Sequence, residues 1–380
     1  MHQVERAIFD LRRGLPVLLV DGESRVLVQA IEGAAETAVA RLAREAGTTP
    51  ALVLSPHRLA LLGEVGAVAT ARLPLPEGGG RQRLAELAFG PRPEALPGRA
   101  ELARWRRALQ PAERADRAAL ALMRRALLIP SALVARVDDS RRAAVEALVA
   151  EGTLLAVAAD KAECCPAGAP GMLKRVSEAR IPLVDAFDCR FVLFREPDGL
   201  REHVAVVIGE PEAGEAPVPL RLHSACLTGD LFGSLRCDCG EQLRKAVTGI
   251  EALGGGVLLY LAQEGRGIGL ANKLRAYTLQ DSGLDTLDAD RTLGFDEDER
   301  HYGVAVDMLA SLGIRRVQLL TNNPRKVAAL SAGGIEVVSR QALYGSLNDH
   351  NRRYLSAKAE RAGHLLDAVF NGHGEGPGRS

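Results

Sequence analysis

The chain has 380 residues, 47% of them hydrophobic and 25% charged, the balance of a globular protein of roughly two or three domains and not of a disordered or fibrous one. Its 48 lysines and arginines equal its 48 aspartates and glutamates, so no bulk positive field gathers nucleic acid or anionic lipid, and neither is expected as a partner. No apolar run approaches the ~18 residues that span a bilayer, and the charged start (Glu5, Arg6, Asp10, Arg12, Arg13) does not suit a signal peptide, so a cytoplasmic protein with its six cysteines reduced is expected.

Val4, Ala7, Ile8 and Leu11 repeat at helical spacing, Gly14 stops them, and Pro16 to Val20 reads as a buried strand. A helix is expected over about Ala34 to Ala46 and a strand over Ala51 to Leu54, the alternation of an α/β layer. Leu73 to Gly98 is rich in Gly and Pro; helical spacing returns between Ala100 and Leu128, followed by a helix over Arg141 to Gly152 and a strand over Thr153 to Ala158. The breakers from Cys164 to Gly171 mark a domain boundary, dividing the chain into 1–165 and 172–370. Beyond it, Ile181 to Phe194, His203 to Ile208, Pro219 to His223, Gly256 to Ala262 and Val317 to Leu320 read as strands. Glu241 to Leu253, Ile268 to Gln280, Tyr302 to Leu312 and Pro324 to Ala332 read as helices. The fold class expected is therefore α/β, with mixed α+β character, in two domains, and the glycine-rich end from Asn371 is expected to fray.

Three cysteines fall close together in a C-x10-C-x-C pattern: Cys226, Cys237 and Cys239. Thiolates bind zinc tetrahedrally, and three protein ligands with a fourth position for water is the arrangement of a catalytic site. Three buried small residues, or a structural zinc closed by His223, remain as alternatives. Gln263 to Gly267 joins a buried strand to a helix, a turn suited to phosphate, although a plain glycine turn is the ordinary alternative. Thr321 to Lys326 repeats the junction, with Pro324 at the first helical position. Two polar, basic strand ends in one α/β domain point to a phosphorylated ligand across the carboxyl edge of the sheet.

These residues carry a resemblance. The blocks Arg221 to Asp230 and Gly233 to Leu243 resemble the zinc motif of GTP cyclohydrolase II, and Gln263 to Asp281, Leu293 to Tyr302 and Leu319 to Lys326 resemble its other blocks, over Lys174 to about Leu366. The resemblance implies an enzyme of riboflavin biosynthesis that opens the imidazole ring of GTP, releases formate and pyrophosphate, and works as a cytoplasmic homodimer. It implies one zinc per chain on Cys226, Cys237 and Cys239, and Mg2+ with the triphosphate. GTP contacts are implied at Arg221, His223, Ser224, Gln242, Glu264, Gly265, Arg266, Thr286, Thr321 and Lys326. Tyr277 matches the catalytic tyrosine, Asp298 the proton acceptor and Arg300 the proposed nucleophile, for which stabilisation of leaving pyrophosphate is equally acceptable because a guanidinium stays protonated above about pH 12. Zinc suits this chemistry because it lowers the pKa of bound water from about 16 to about 7.

Where the family reads His-Ser-Glu-Cys, this chain has His223-Ser224-Ala225-Cys226, and the lost carboxylate opens the alternative of a diverged member with a changed product; a non-catalytic zinc and nucleotide-binding regulator is a further alternative, disfavoured because Tyr277, Asp298 and Arg300 all remain. Val4 to Asp21 resembles the start of 3,4-dihydroxy-2-butanone 4-phosphate synthase, the domain often fused ahead of GTP cyclohydrolase II. That family holds magnesium through an acidic run after its first strand, and here the matching stretch, Asp21 to Ala30, carries Val26 and Val28 where glutamates belong. No His-Thr-Glu occurs, so residues 1–165 are expected to be a degenerate, non-catalytic domain.

Overall fold

The structure is a computed structural model that describes residues 2–62, 69–75, 80–90, 103, 107–164, 171–211 and 216–343. These residues form two compact units, one within Met1–Ala167 and Ala271–Glu299, the other within Gly168–Leu270 and Arg300–Ser380. Each is built on one seven-stranded sheet, in agreement with the mixed α/β class. Most of the breaker-rich linker, the end from Asn371 and much of Leu73 to Gly98 lie outside the described residues. Among the described residues no helix is long and apolar enough to cross a membrane.

The first sheet comprises β1 (Val17–Asp21), β2 (Ser24–Ala30), β3 (Ala51–Leu54), β4 (Ala71–Pro74), β5 (Gln110–Pro111), β6 (Ser131–Arg136) and β7 (Leu155–Ala158), ordered β5-β4-β3-β6-β2-β1-β7. Only the β1–β7 pair is parallel. In β2 every residue from Val26 to Ala30 is buried, which is why the stretch reads apolar and carries no acidic run. Helices His2–Arg12, Ala38–Ala46, Arg114–Arg125 and Asp139–Ala150 appear where helical spacing predicts them, within a few residues at the ends, except that the third is shorter than the window Ala100 to Leu128.

The second sheet comprises β8 (Lys174–Arg180), β9 (Cys189–Arg195), β10 (Glu202–Ile208), β11 (Val218–Ser224), β12 (Gly256–Leu261), β13 (Arg316–Leu320) and β14 (Glu336–Gln341), ordered β14-β13-β11-β12-β10-β9-β8. Its β14-β13-β11-β12 side is parallel and its β10-β9-β8 side antiparallel. Along β12, Val257, Leu259 and Leu261 pack with Ala305, Met308 and Leu309 of helix Gly303–Ser311 on one face. Leu258 packs on the other face with Ala246 and Ile250 of helix Cys239–Ala252. Side chains alternate across a strand, so burial on both faces requires the unbroken apolar run of a central strand, here one that pairs parallel with β11 and antiparallel with β10.

The predicted strand Ile181 to Phe194 is corrected: it is the turn and second strand of the β8–β9 hairpin. Pro182, Asp185 and Asp188 break the run, while β8 is exposed throughout and so shows no apolar signal.

Candidate metal and nucleotide site

Three neighbouring parallel strands, β13, β11 and β12, deliver their carboxyl ends to the motif loops. After β11, Leu227–Leu231 winds as one π-helical turn, a distortion frequent at functional sites, and the chain returns to Cys239 at the first position of helix Cys239–Ala252. The Sγ atoms of Cys226, Cys237 and Cys239 all lie within 4.8 Å of one another, the only such cluster among the described residues, and His223 is not part of it. Cys226 Sγ is 3.7 Å from Cys237 Sγ, too far for a disulfide. A tetrahedron with Zn–S near 2.3 Å has sulfurs about 3.8 Å apart, so the cluster fits zinc with a fourth position left open. The contact with Cys226, foremost, pushes the Cys237 thiol above its usual range, so a thiolate at Cys237 calls for a cation beside it. Gly229 roofs the cluster, where a Cβ would lie 3.1 Å from Cys226 Sγ and 3.2 Å from Cys239 Cβ.

Around this cluster is a network in which sequence reasoning assigned no part to Asp230 or Tyr260. Asp230 accepts from the Cys226 amide at 2.9 Å, from Tyr260 OH at 2.9 Å and pairs with His223 Nε2 at 3.1 Å. His223 and Tyr260 stack with ring centroids 5.6 Å apart. Burial holds the His223 imidazole below its usual pKa against the opposing pull of Asp230, so the ring is neutral near pH 7.

Arg221, two residues before His223 on the same face of β11, donates to Leu320 O at 2.9 Å and to Gln242 Oε1 at 2.7 Å. Its burial lowers the guanidinium pKa to about 10, leaving it charged. Arg221 Nε, His223 Nδ1 and Ser224 Oγ are buried with no hydrogen-bond partner among the described residues. Buried polar atoms are normally satisfied, so three orphans at one strand end mark a place for a polar ligand.

After β12, Gly265 and Arg266 both take left-handed backbone, with φ of 62° and 60°, in the turn Glu264–Gly267. A left-handed non-glycine residue such as Arg266 is costly and concentrates at ligand sites. Glu264 ties this turn to the thiol loop by accepting from Leu227 N at 2.7 Å. After β13, Thr321 Oγ1 accepts from Asn323 N, Asn323 caps helix Pro324–Ala332, and Pro324 opens that helix as the sequence predicts. Lys326 Nζ donates to Leu222 O at 2.6 Å and lies 6.0 Å from the centroid of the Tyr302 ring; Arg300 lies 5.8 Å from the same ring. Arg300 and Lys326 thus flank one aromatic side chain, an arrangement that suits two cations facing a polyanion.

The stretch 174–342 matches the family model for GTP cyclohydrolase II. A GTP cyclohydrolase-2 of Azospirillum brasilense is 44% identical over 372 residues, covering 96% of this chain and 94% of that one. This chain belongs to the GTP cyclohydrolase II family.

As a GTP cyclohydrolase II it is an enzyme, and its similarity to relatives of that name runs through both units: the GTP cyclohydrolase-2 of Xylella fastidiosa strain Temecula1 is 43% identical over 96% of this chain and 87% of its own. The RibBA riboflavin biosynthesis protein of Bacillus subtilis is 54% identical over 171 residues, 45% of this chain and 43% of its own. RibBX from A. baumannii, a two-domain 3,4-dihydroxy-2-butanone 4-phosphate synthase of known structure, matches over 90% of this chain and 99% of its own at 17% identity and a TM-score of 0.34.

The remaining expected site residues of this GTP cyclohydrolase II lie in the first unit. Tyr277 is half-buried on helix Leu270–Asp281, with Lys273 Nζ 5.6 Å from its ring centroid. Thr286 opens helix Thr286–Thr292, which Asp285 caps through Asp288 N. Asp298 is half-buried in the loop before Arg300.

Proposed function

We propose that the chain hydrolyses GTP with zinc on Cys226, Cys237 and Cys239. The products would be formate, pyrophosphate and 2,5-diamino-6-hydroxy-4-(5-phosphoribosylamino)pyrimidine, the first step of riboflavin biosynthesis. The observation that carries the reading is the thiol cluster, spaced for tetrahedral zinc and without a fourth protein ligand among the described residues.

When bound, zinc supplies the Lewis acidity that readies water for attack at C8 of guanine. Arg221, His223, Ser224, Gln242, Glu264, Gly265, Thr286 and Thr321 hold the nucleotide, with the orphaned atoms of Arg221, His223 and Ser224 supporting this assignment. Arg266, Arg300 and Lys326 neutralise the charge that develops on leaving pyrophosphate, and Mg2+ bound with the triphosphate would add to that neutralisation. A role for Arg300 as a charged stabiliser is favoured over a nucleophilic one because its guanidinium sits beside the Tyr302 ring, where a cation is attracted and a neutral group is not. Tyr277 gives a proton to an imidazole nitrogen as the ring opens, and Asp298 accepts one.

Of the stretch matched to the synthase's acidic run, Ser24–Ala30 forms β2 and is buried from Val26 to Ala30, which supports a non-catalytic part for residues 1–165. Serine replacement of Cys226, Cys237 or Cys239 tests the proposal: each variant should lose zinc and formate release together. Formate release that survives in a zinc-free variant would refute it.

A further inference from the structure

Both ends of the segment Ala271–Glu299, which carries Tyr277, Thr286 and Asp298, are held by residues more than a hundred positions earlier. On helix Leu270–Asp281, Arg275 Nη2 donates to Glu32 Oε2 at 2.6 Å. The other oxygen of Glu32 accepts from Ile129 N at 2.5 Å, so the carboxylate is fixed before it meets the helix. Arg275 also donates to Asn272 Oδ1 at 2.5 Å, and Asn272 in turn donates to Leu127 O at 3.0 Å. Asn272 is fully buried, and Leu127 is one of two described non-glycine residues with a positive φ, at 58°. Further along, the buried guanidinium of Arg58 donates to Thr292 O at 3.0 Å.

Asn272 and Arg275, three apart, share one face of the helix. Tyr277, two residues on, lies about 200° round from Arg275 at ~100° per residue. The face that is pinned is thus opposite the phenol, and the pinning sets the helix's rotation and height without touching the reacting group. The similarity of the GTP cyclohydrolase-2 of Azospirillum brasilense over 96% of the chain means that these early residues are shared territory with a protein bearing the cyclohydrolase name alone.

We propose that Glu32, through Arg275, is a positioning residue for ring opening: the first 167 residues serve the cyclohydrolase reaction by fixing the helix that presents Tyr277. The proposal rests on the reading of Tyr277 as the proton donor at the imidazole.

The test measures formate and pyrophosphate separately, with zinc content, in the full-length holoenzyme and in Glu32→Gln, Arg275→Ala, their double variant and Tyr277→Phe. Glu32→Gln keeps an oxygen for Ile129 N and loses the charge that holds Arg275. Misplacing a reacting group by about 1 Å costs up to ~100-fold, so a partial loosening should lower the formate rate on the order of 10-fold. Pyrophosphate release and zinc should be retained. In the Arg275→Ala background Glu32→Gln should add less than about 2-fold, because both act through one contact. Equal loss of both products in Glu32→Gln, which is what a reduced folded fraction gives, overturns the proposal, and so do additive effects. If Tyr277→Phe lowers both products equally, the assignment of the phenol fails and the proposal falls with it. If Tyr277→Phe separates the products and Glu32→Gln does not, positioning alone is overturned.

Discussion

Gly229→Ala is the sharpest perturbation of the proposed metal site. Gly229 is not among the glycines with positive φ, so alanine adds no backbone strain there. Its Cβ would stand 3.1 Å from Cys226 Sγ, 3.2 Å from Cys239 Cβ and closer still to Cys237 Sγ. Carbon and sulfur prefer about 3.5–4.0 Å, so at least one thiolate must retreat by about 0.5 Å or more. That exceeds the ~0.2 Å tolerance of metal–ligand distances. Structural zinc binding of ~10–16 kcal/mol spread over four ligands gives about 2.5–4 kcal/mol for each. Losing one ligand is therefore about 10²–10³-fold in zinc affinity, at ~1.4 kcal/mol per tenfold. Gly233→Ala is the control: its φ of 64° makes alanine strained, yet no atom lies within 4 Å of the new Cβ. Metal analysis after gel filtration and chelator competition should show Gly229→Ala losing zinc and formate release, and Gly233→Ala losing stability alone. Wild-type zinc affinity in Gly229→Ala would refute the geometric reasoning.

Arg221→Lys should raise the KM for GTP on the order of 10-fold with zinc content unchanged, because an ammonium cannot span Leu320 O and Gln242 as the fork of Arg221 does; steady-state kinetics with metal analysis check this, and an unchanged KM contradicts it. Arg300→Ala should depress pyrophosphate release more than ring opening, read by assaying the two products side by side, and equal losses would remove the assigned role. Ala225→Glu should increase formate release from GTP if alanine only weakens the site, whereas a decrease favours the diverged member. For His223, the folded chain binds fewer protons than the unfolded chain, whose imidazole titrates near ~6.5, so stability is retained above that pH and lost as pH falls below it toward the depressed folded value. Urea midpoints at pH 7.5 and 5.5 should therefore differ less in His223→Gln than in the wild type, and an equal difference contradicts the burial argument.

The strands and helices with strong apolar periodicity were legible because their burial is local in sequence. Val257 to Leu261 is the clearest case, with alternate residues feeding two cores. The edge strand β8 was not legible, since a fully exposed strand leaves no hydrophobic trace. Cys226, Cys237 and Cys239 stood out because metal-binding spacing is itself a sequence pattern. Asp230 and Tyr260 did not, because their roles arise only when β11 and β12 lie side by side and bring Tyr260 beside His223. The attachment of Ala271–Glu299 to the first unit was equally hidden: Glu32 and Arg275 are 243 positions apart, and although Arg275 falls in the block Gln263 to Asp281, nothing in that block points to Glu32. Side chains that act through long-range hydrogen bonds carry no periodicity for a single sequence to display.

The central claim is that this GTP cyclohydrolase II chain opens the guanine ring with the three-cysteine zinc site. Incubating the purified, zinc-replete protein with GTP and Mg2+ and identifying the products by mass spectrometry tests it most directly. The account predicts formate, pyrophosphate and the diaminopyrimidine ribosylamine phosphate in equal amounts, all lost when zinc is stripped and restored when it is returned. GMP and pyrophosphate with the ring intact, a different ring-opened product, or turnover that persists without zinc would contradict it.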